Sequence, residues 1–108
     1  MFSFNIDEID TQGLHKLLAT EASDIKLIDV RMPTEVAQGV IPGAENIPLN
    51  TLPYRLGELP TDKTVVFYCR TGARSAQACA YVAAQGHENT FNLRGGIMAW
   101  VGGGLAVA

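Results

Sequence analysis

The sequence predicts an α/β fold: a single domain over residues 1–108 whose central, mostly parallel five-stranded sheet is flanked by helices on both faces. Two observations lead there. Leu27-Ile28-Asp29-Val30, Val65-Val66-Phe67-Tyr68 and Thr90-Phe91-Asn92-Leu93 are short runs rich in apolar, β-branched and aromatic residues, each bounded by turn chemistry, as strands covered on both faces are. Between them lies helix-period or small-residue sequence, such as Ala76, Ala78, Cys79, Ala80, Val82, Ala83 and Ala84. Strands alternating with helices imply βαβ units and therefore parallel neighbours.

In chain order, Phe4 and Ile6 alternate with Ser3, Asn5 and Asp7, which predicts a short first strand. Asp7 or Asp10 caps the next helix, whose apolar face is Leu14, Leu17 and Leu18, with Ile9 as a further candidate, and which runs to about Ala22. After the strand Leu27–Val30, Arg31-Met32-Pro33 leads into a brief helix from Thr34. Pro33 suits a first helical position and Glu35 a first turn. Gly39-Val40-Ile41-Pro42-Gly43-Ala44 bends the chain at its Pro-Gly pair. Ile47-Pro48-Leu49 reads as a minimal strand, and Pro48 assigns it to a sheet edge because proline cannot donate to a ladder. Leu52–Leu59 reads as a short helix between Pro53 and Pro60. The helix after Ser75 reaches about Gln85 and stops at Gly86. A last helix follows Arg94-Gly95-Gly96, carries Met98 and Trp100, and ends in Gly102-Gly103-Gly104.

Hydrophobic content of 47% and charged content of 18% are those of an ordinary globular domain. A net charge of −3 gives no general reason to expect nucleic acid or an anionic membrane as partner. No apolar run approaches the ~20 residues of a membrane span. Met1–Glu8 lacks a basic region followed by an apolar stretch, so no secretory signal is read there. Two cysteines make no disulfide framework, and a reducing cytoplasm is the expected address. His15 and His87 lack metal-ligand spacing to cysteine or carboxylate; neither a metal nor a cofactor is expected.

The stretch that carries chemistry is Cys69-Arg70-Thr71-Gly72-Ala73-Arg74-Ser75. Ligands of open parallel sheets bind beyond the carboxyl ends of strands, where both this loop and Asp29–Arg31 belong. A cysteine between a strand end and a helix start faces backbone N–H groups and the positive end of a helix dipole. With Arg70 and Arg74 nearby, that setting favours thiolate, and pKa values of roughly 3.5–7.5 occur in such places. Successive N–H groups curled about one point form an anion-binding nest. A thiolate in a nest suits sulfur transfer, phosphate ester hydrolysis or oxyanion reduction, and local chemistry leaves all three open. Cys79, among alanines on the following helix, reads as core packing.

The chain resembles the rhodanese superfamily, in particular its short single-domain sulfurtransferases. The resemblance rests on Cys69–Ser75, on Leu27-Ile28-Asp29-Val30-Arg31 followed by Glu35, on Gly39–Pro48, on Gly95-Gly96-Ile97-Met98-Ala99-Trp100 and on Gly104-Leu105, all in family order. Val40 stands where the family often has histidine, and Leu105-Ala106 where it often continues Gly-Leu-Pro. Sulfurtransferases of this family carry a six-residue active loop sized for sulfur. Related phosphatases and arsenate reductases carry a longer one, with the arginine one residue further on. Counting Cys69 as the first residue, Arg74 is the sixth.

The resemblance implies that Cys69 is the nucleophile of a sulfurtransferase, taking sulfane sulfur from thiosulfate or a low-molecular-weight persulfide and passing it to a thiol or cyanide. Thioredoxin or a small sulfur-carrier protein is compatible as acceptor. Arg70, Thr71, Gly72, Ala73, Arg74 and Ser75 would form the substrate loop; Asp29, Arg31 and Glu35 would support it. Arg74 would either steer the anionic donor or tie the loop to Glu35 or Asp29. The alternatives are a non-catalytic partner-binding module and, behind it, a phosphatase- or arsenate reductase-like enzyme.

Overall fold

Apolar runs that are buried on both sides must pair with neighbours in the middle of a sheet, and they do. The structure, a computed structural model, describes residues 6–108. Five strands, β1 (Glu8–Ile9), β2 (Ile25–Asp29), β3 (Glu45–Asn46), β4 (Thr64–Tyr68) and β5 (Thr90–Leu93), form one sheet in the order β1-β5-β4-β2-β3. Every neighbouring pair is parallel. Four helices, α1 (Thr11–Glu21), α2 (Pro33–Val36), α3 (Ala73–Ala84) and α4 (Gly96–Gly102), connect or follow the strands.

Side-chain alternation along β4 divides the core in two. Val65, Phe67 and Cys69 point to one face, where they pack with Ile28, Val30 and the α3 residues Ala78, Cys79 and Val82. Val66 and Tyr68 point to the other, with Leu14 of α1, Leu27, and Ile97 and Trp100 of α4. Cys69 is thus turned toward α3 by the strand that precedes it. Asp29, opposite Tyr68 in the β2–β4 register, emerges at the same end of the sheet.

The first strand lies at Glu8–Ile9 rather than around Phe4 and Ile6. Ile6 and Asp7 precede it, and the earlier part of that expectation falls outside the described residues. Pairing decides the position: Asn92 N donates to Asp7 O and Arg94 N to Ile9 O, so Ile9 belongs to the sheet and not to the helix face. Of the two candidate caps, Asp10 caps α1, its Oδ1 accepting from Gly13 N at 2.7 Å. At the other edge the strand is Glu45–Asn46, upstream of Ile47-Pro48-Leu49. Pro48 offers no N–H, and the chain from Leu49 already coils into a 3₁₀ helix. Leu52–Leu59 is not one α-helix but parts of two 3₁₀ helices, Leu49–Tyr54 and Leu56–Glu58, with Pro53 inside the first. Helix α3 closes where expected, with Gly86 N bonded to Ala83 O and His87 N to Val82 O. Among the described residues no helix is long and apolar enough to cross a membrane.

Candidate active site

Strand β4 delivers Cys69 to the carboxyl edge of the sheet, and α3 begins at Ala73, so three residues separate the cysteine from the helix. So tight a connection needs a left-handed residue, and Gly72 supplies it at φ 107°. That turn aims Gly72 N–H at Cys69 Sγ, 3.0 Å away. Ser75, in the first turn of α3, donates its hydroxyl to the same sulfur at 3.4 Å. The sulfur lies at the bottom of the loop, with Cys69 only 1% exposed. Burial pushes the Cys69 thiol up, but the Ser75 hydroxyl and the N–H groups of Ser75, Gly72 and Thr71 together outweigh it and hold the pKa below that of an ordinary thiol. Cys79 shows burial without those donors: its thiol is pushed up to about 12, chiefly by desolvation.

Helix α4 closes the loop from behind. Ile97 N donates to Cys69 O at 3.0 Å and Met98 N to Arg70 O at 3.1 Å, which satisfies two loop carbonyls. This approach is tolerable only because residue 96 lacks a side chain; a Cβ there would stand 2.5 Å from both carbonyl oxygens.

The three arginines differ in what they hold. Arg31 is buried and forked onto Asp29, with Nη2–Oδ2 at 2.7 Å and Nε 3.0 Å from both oxygens. Its Nη2 also donates to Gly39 O at 2.7 Å, and its guanidinium lies 5.7 Å from the centre of the Tyr68 ring. It therefore ties the end of β2 to the turn after α2. Tyr68 Oη accepts from Ile41 N at 3.1 Å and anchors that turn's other side. Arg74 is engaged by Glu35 in a two-point ion pair, 2.6 Å and 2.8 Å, across the loop mouth. That fork is the main reason the Glu35 carboxyl is held down at about 2. Arg70 is exposed, and among the described residues no side chain pairs with it. Thr71 is exposed beside it.

The structure thus brings Cys69, Gly72, Arg74, Ser75 and Glu35 together, leaves Arg70 and Thr71 exposed on the outer lip, and buries Asp29 and Arg31 as a pair at the end of β2, with Arg31 reaching the depression that Arg70 lines. Arg70 opens onto a depression of about 490 Å³ that it shares with Glu35, Gln38, Met98, Val101 and Val107. A second depression, about 430 Å³ and lined by His15, Leu18 and Trp100, contains none of the loop residues. Val40, where the family often has histidine, pairs backbone to backbone with Ala108: its N–H reaches Ala108 O at 3.0 Å and its O accepts at 2.8 Å.

Sequence reasoning did not single out Asn92 and Glu8. Asn92 Nδ2 donates to Gly72 O at 3.2 Å and to Glu8 Oε2 at 3.1 Å, so Asn92 reaches the loop from β5 and Glu8 holds its amide from β1. The available signal was a buried asparagine in a short strand between Phe91 and Leu93. Gly95-Gly96 carried a signal only as part of the family resemblance.

A relative named Sulfurtransferase, from Allochromatium vinosum, is 49% identical over 102 residues, covering 94% of each chain. Thiosulfate sulfurtransferase GlpE of Shewanella oneidensis is 32% identical over 81 residues, covering 75% of this chain and 80% of its own. The solved structure of a rhodanese-related protein from Thermoplasma volcanium superposes with a TM-score of 0.82 at 29% identity, covering 94% of this chain and 97% of that one. The Rhodanese-like domain family matches residues 10–102, from the cap of α1 to the end of α4, and this chain belongs to that family.

Proposed function

We propose that the chain is a sulfurtransferase that carries sulfane sulfur as a persulfide on Cys69. The observation behind this reading is the Cys69 sulfur itself, held by Gly72 N–H at 3.0 Å and the Ser75 hydroxyl at 3.4 Å in a loop whose sixth residue is Arg74. Donors that favour a thiolate also favour the anionic terminal sulfur of a persulfide one bond further out. The cycle has two displacements. Cys69 thiolate attacks the outer sulfur of thiosulfate, the S–S bond of the donor breaks, and sulfite leaves with the electron pair. The thiolate of an acceptor, or cyanide, then attacks the outer sulfur of the persulfide, and Cys69 leaves as thiolate. A low-molecular-weight persulfide enters the same cycle with its own thiolate as leaving group.

Arg70 steers the anionic donor, because it is the loop arginine without a carboxylate partner among the described residues. Arg74, committed to Glu35, braces the loop mouth and lends its charge at longer range. The depression beside Arg70 also leaves room for a sulfur-bearing or thiol-bearing protein such as thioredoxin or a small sulfur carrier. A cytoplasmic address fits two unpaired cysteines.

Intact mass after thiosulfate treatment tests the reading. Cys69 should gain one sulfur atom removable by dithiothreitol, and Cys69→Ser should gain none. No adduct from thiosulfate or from any persulfide donor would overturn it in favour of a non-catalytic binding module.

A further inference from the structure

Asn92 is out of place by composition. It sits in β5 between β1 and β4, paired in register with Glu8 on one side and Phe67 on the other, and it is only 2% exposed. Its Oδ1 is buried without a hydrogen-bond partner, a condition that costs about 1–3 kcal/mol. A leucine would fill the same place without that cost, so the reason for the amide lies in its NH₂ group. Both donor directions are used, toward Gly72 O at 3.2 Å and Glu8 Oε2 at 3.1 Å. Turning the amide over would set Oδ1 against a carbonyl and a carboxylate, two acceptors, so the orientation is determined.

Gly72 is the residue whose N–H reaches Cys69 Sγ. It is held at two points: its carbonyl accepts from Asn92 Nδ2 and from Ala76 N, the latter bond opening α3. Its left-handed conformation allows rotation that would swing the N–H away from sulfur. The space around it is close but not closed, with Gly95 N, Leu93 O and Asn92 Nδ2 at 3.4–3.7 Å from where a Cβ would be. A directional bond is therefore needed where packing leaves freedom.

We infer that Asn92 is a positioning residue for the nucleophile: through Gly72 it aims the loop N–H at Cys69 Sγ, with Glu8 orienting the amide from the neighbouring strand. The inference rests on the reading of Cys69 as nucleophile and names a residue that the reading did not use. Other groups act on that sulfur: the Ser75 hydroxyl, the N–H groups of Thr71 and Ser75, and the Arg74 guanidinium, itself held by Glu35. Glu8 in turn is shared with Arg94, at 3.2 Å. A neutral substitution at Asn92 removes the amide donor from Glu8 and leaves the Arg74–Glu35, Ser75 and Arg94–Glu8 contacts in place.

The test is the pH dependence of Cys69 alkylation by iodoacetamide, read on the Cys69 peptide by mass spectrometry so that Cys79 does not contribute. Asn92→Leu should raise the midpoint by roughly half a unit to one unit. A merely structural role would change the melting temperature and leave the midpoint in place, and that result overturns the inference. If Asn92→Leu does not fold, the unaltered chain decides by NMR. The Asn92 side-chain amide protons should exchange slowly with solvent and move through the same pH midpoint as Cys69. Fast exchange, or resonances that ignore the Cys69 titration, overturns it. Neither readout uses a sulfur donor, so a chain that accepts no sulfur would defeat the proposed function while leaving the Asn92 result to stand or fall alone.

Discussion

Arg74 and Glu35 close a two-point fork across the loop mouth, with Nη1–Oε1 at 2.6 Å and Nη2–Oε2 at 2.8 Å. The fork joins the first turn of α3 to α2, whose own start is fastened by Met32 N donating to Glu35 Oε1 at 3.2 Å. A guanidinium so engaged has little left to offer an incoming anion, whereas Arg70 has no side-chain partner among the described residues. The two loop arginines should therefore separate kinetically. Arg70→Ala should raise KM for thiosulfate roughly tenfold or more, as the loss of a hydrogen bond to a charged group implies, and change KM for an uncharged persulfide donor much less. Arg74→Ala should act on both donors alike and lower thermal stability. Steady-state kinetics with the two donors checks this; equal KM effects of Arg70→Ala would remove its steering role.

The same fork makes a pH prediction. Glu35 has its pKa lowered from the usual 4.5 to about 2, with the Arg74 hydrogen bonds as first cause. The unfolded chain binds this proton more readily than the folded one. The contribution to stability is therefore complete above about 4.5 and is lost as pH falls toward about 2. Both side chains are about a third exposed, at 35% and 29%, so solvent screening limits the pair to about 0.2–1 kcal/mol. Glu35→Gln should be slightly less stable than the parent at pH 7 and should converge with it at the acid end of that window. Urea titrations at pH 7 and pH 3 measure both; a constant difference at the two pH values would disconnect the fork from acid stability.

Ser75 supplies the side-chain donor to the Cys69 sulfur, at 3.4 Å and fully buried. Removing the hydroxyl weakens stabilisation of the thiolate while burial remains, so Ser75→Ala should move the Cys69 alkylation midpoint upward and slow alkylation at neutral pH several-fold. Cys79 provides the internal reference. With its thiol buried and pushed up to about 12, it should react far more slowly than Cys69 at neutral pH. Peptide-resolved alkylation tests both, and a Cys69 midpoint unchanged in Ser75→Ala would assign the lowering to backbone donors alone.

How much of this was legible depended on what kind of signal each feature leaves in sequence. The three central strands, β2, β4 and β5, are dominated by apolar residues because they are covered on both faces; β4 and β5 stand where the pattern puts them, and β2 starts two residues earlier, at Ile25, and ends at Asp29. The edge strands are two residues each, too short for any periodicity. Ile47 is fully buried although it lies outside β3, so an apolar residue there misleads about the ladder. The loop announces its cysteine and arginines, but chain order does not say whether Glu35 or Asp29 meets Arg74; in space Arg31 occupies Asp29, and Glu35 pairs with Arg74. Asn92 and Glu8 are 84 positions apart, and only the β1–β5 pairing brings them together.

The glycines around the loop yield the last prediction, because two that look alike in sequence differ in space. Gly72 has φ 107° and its nearest neighbour is 3.4 Å from a would-be Cβ. Gly72→Ala therefore meets mainly backbone strain, about 1–2 kcal/mol, together with a tendency to rotate that N–H off the sulfur. Gly96 has φ 60° and its Cβ would overlap Cys69 O and Arg70 O, each at 2.5 Å. Carbonyls of the loop cannot yield without breaking the Ile97–Cys69 and Met98–Arg70 bonds. Gly96→Ala should thus cost roughly 3 kcal/mol or more, adding a steric clash to lost buried hydrogen bonds. Denaturant midpoints for the two variants, beside their Cys69 alkylation midpoints, separate the effects. Gly72→Ala should be the milder for stability and raise the alkylation midpoint, whereas Gly96→Ala should fail first in the fold. The reverse order of stability would mean that α4 yields to the loop, and that the wall behind Cys69 is softer than its hydrogen bonds imply.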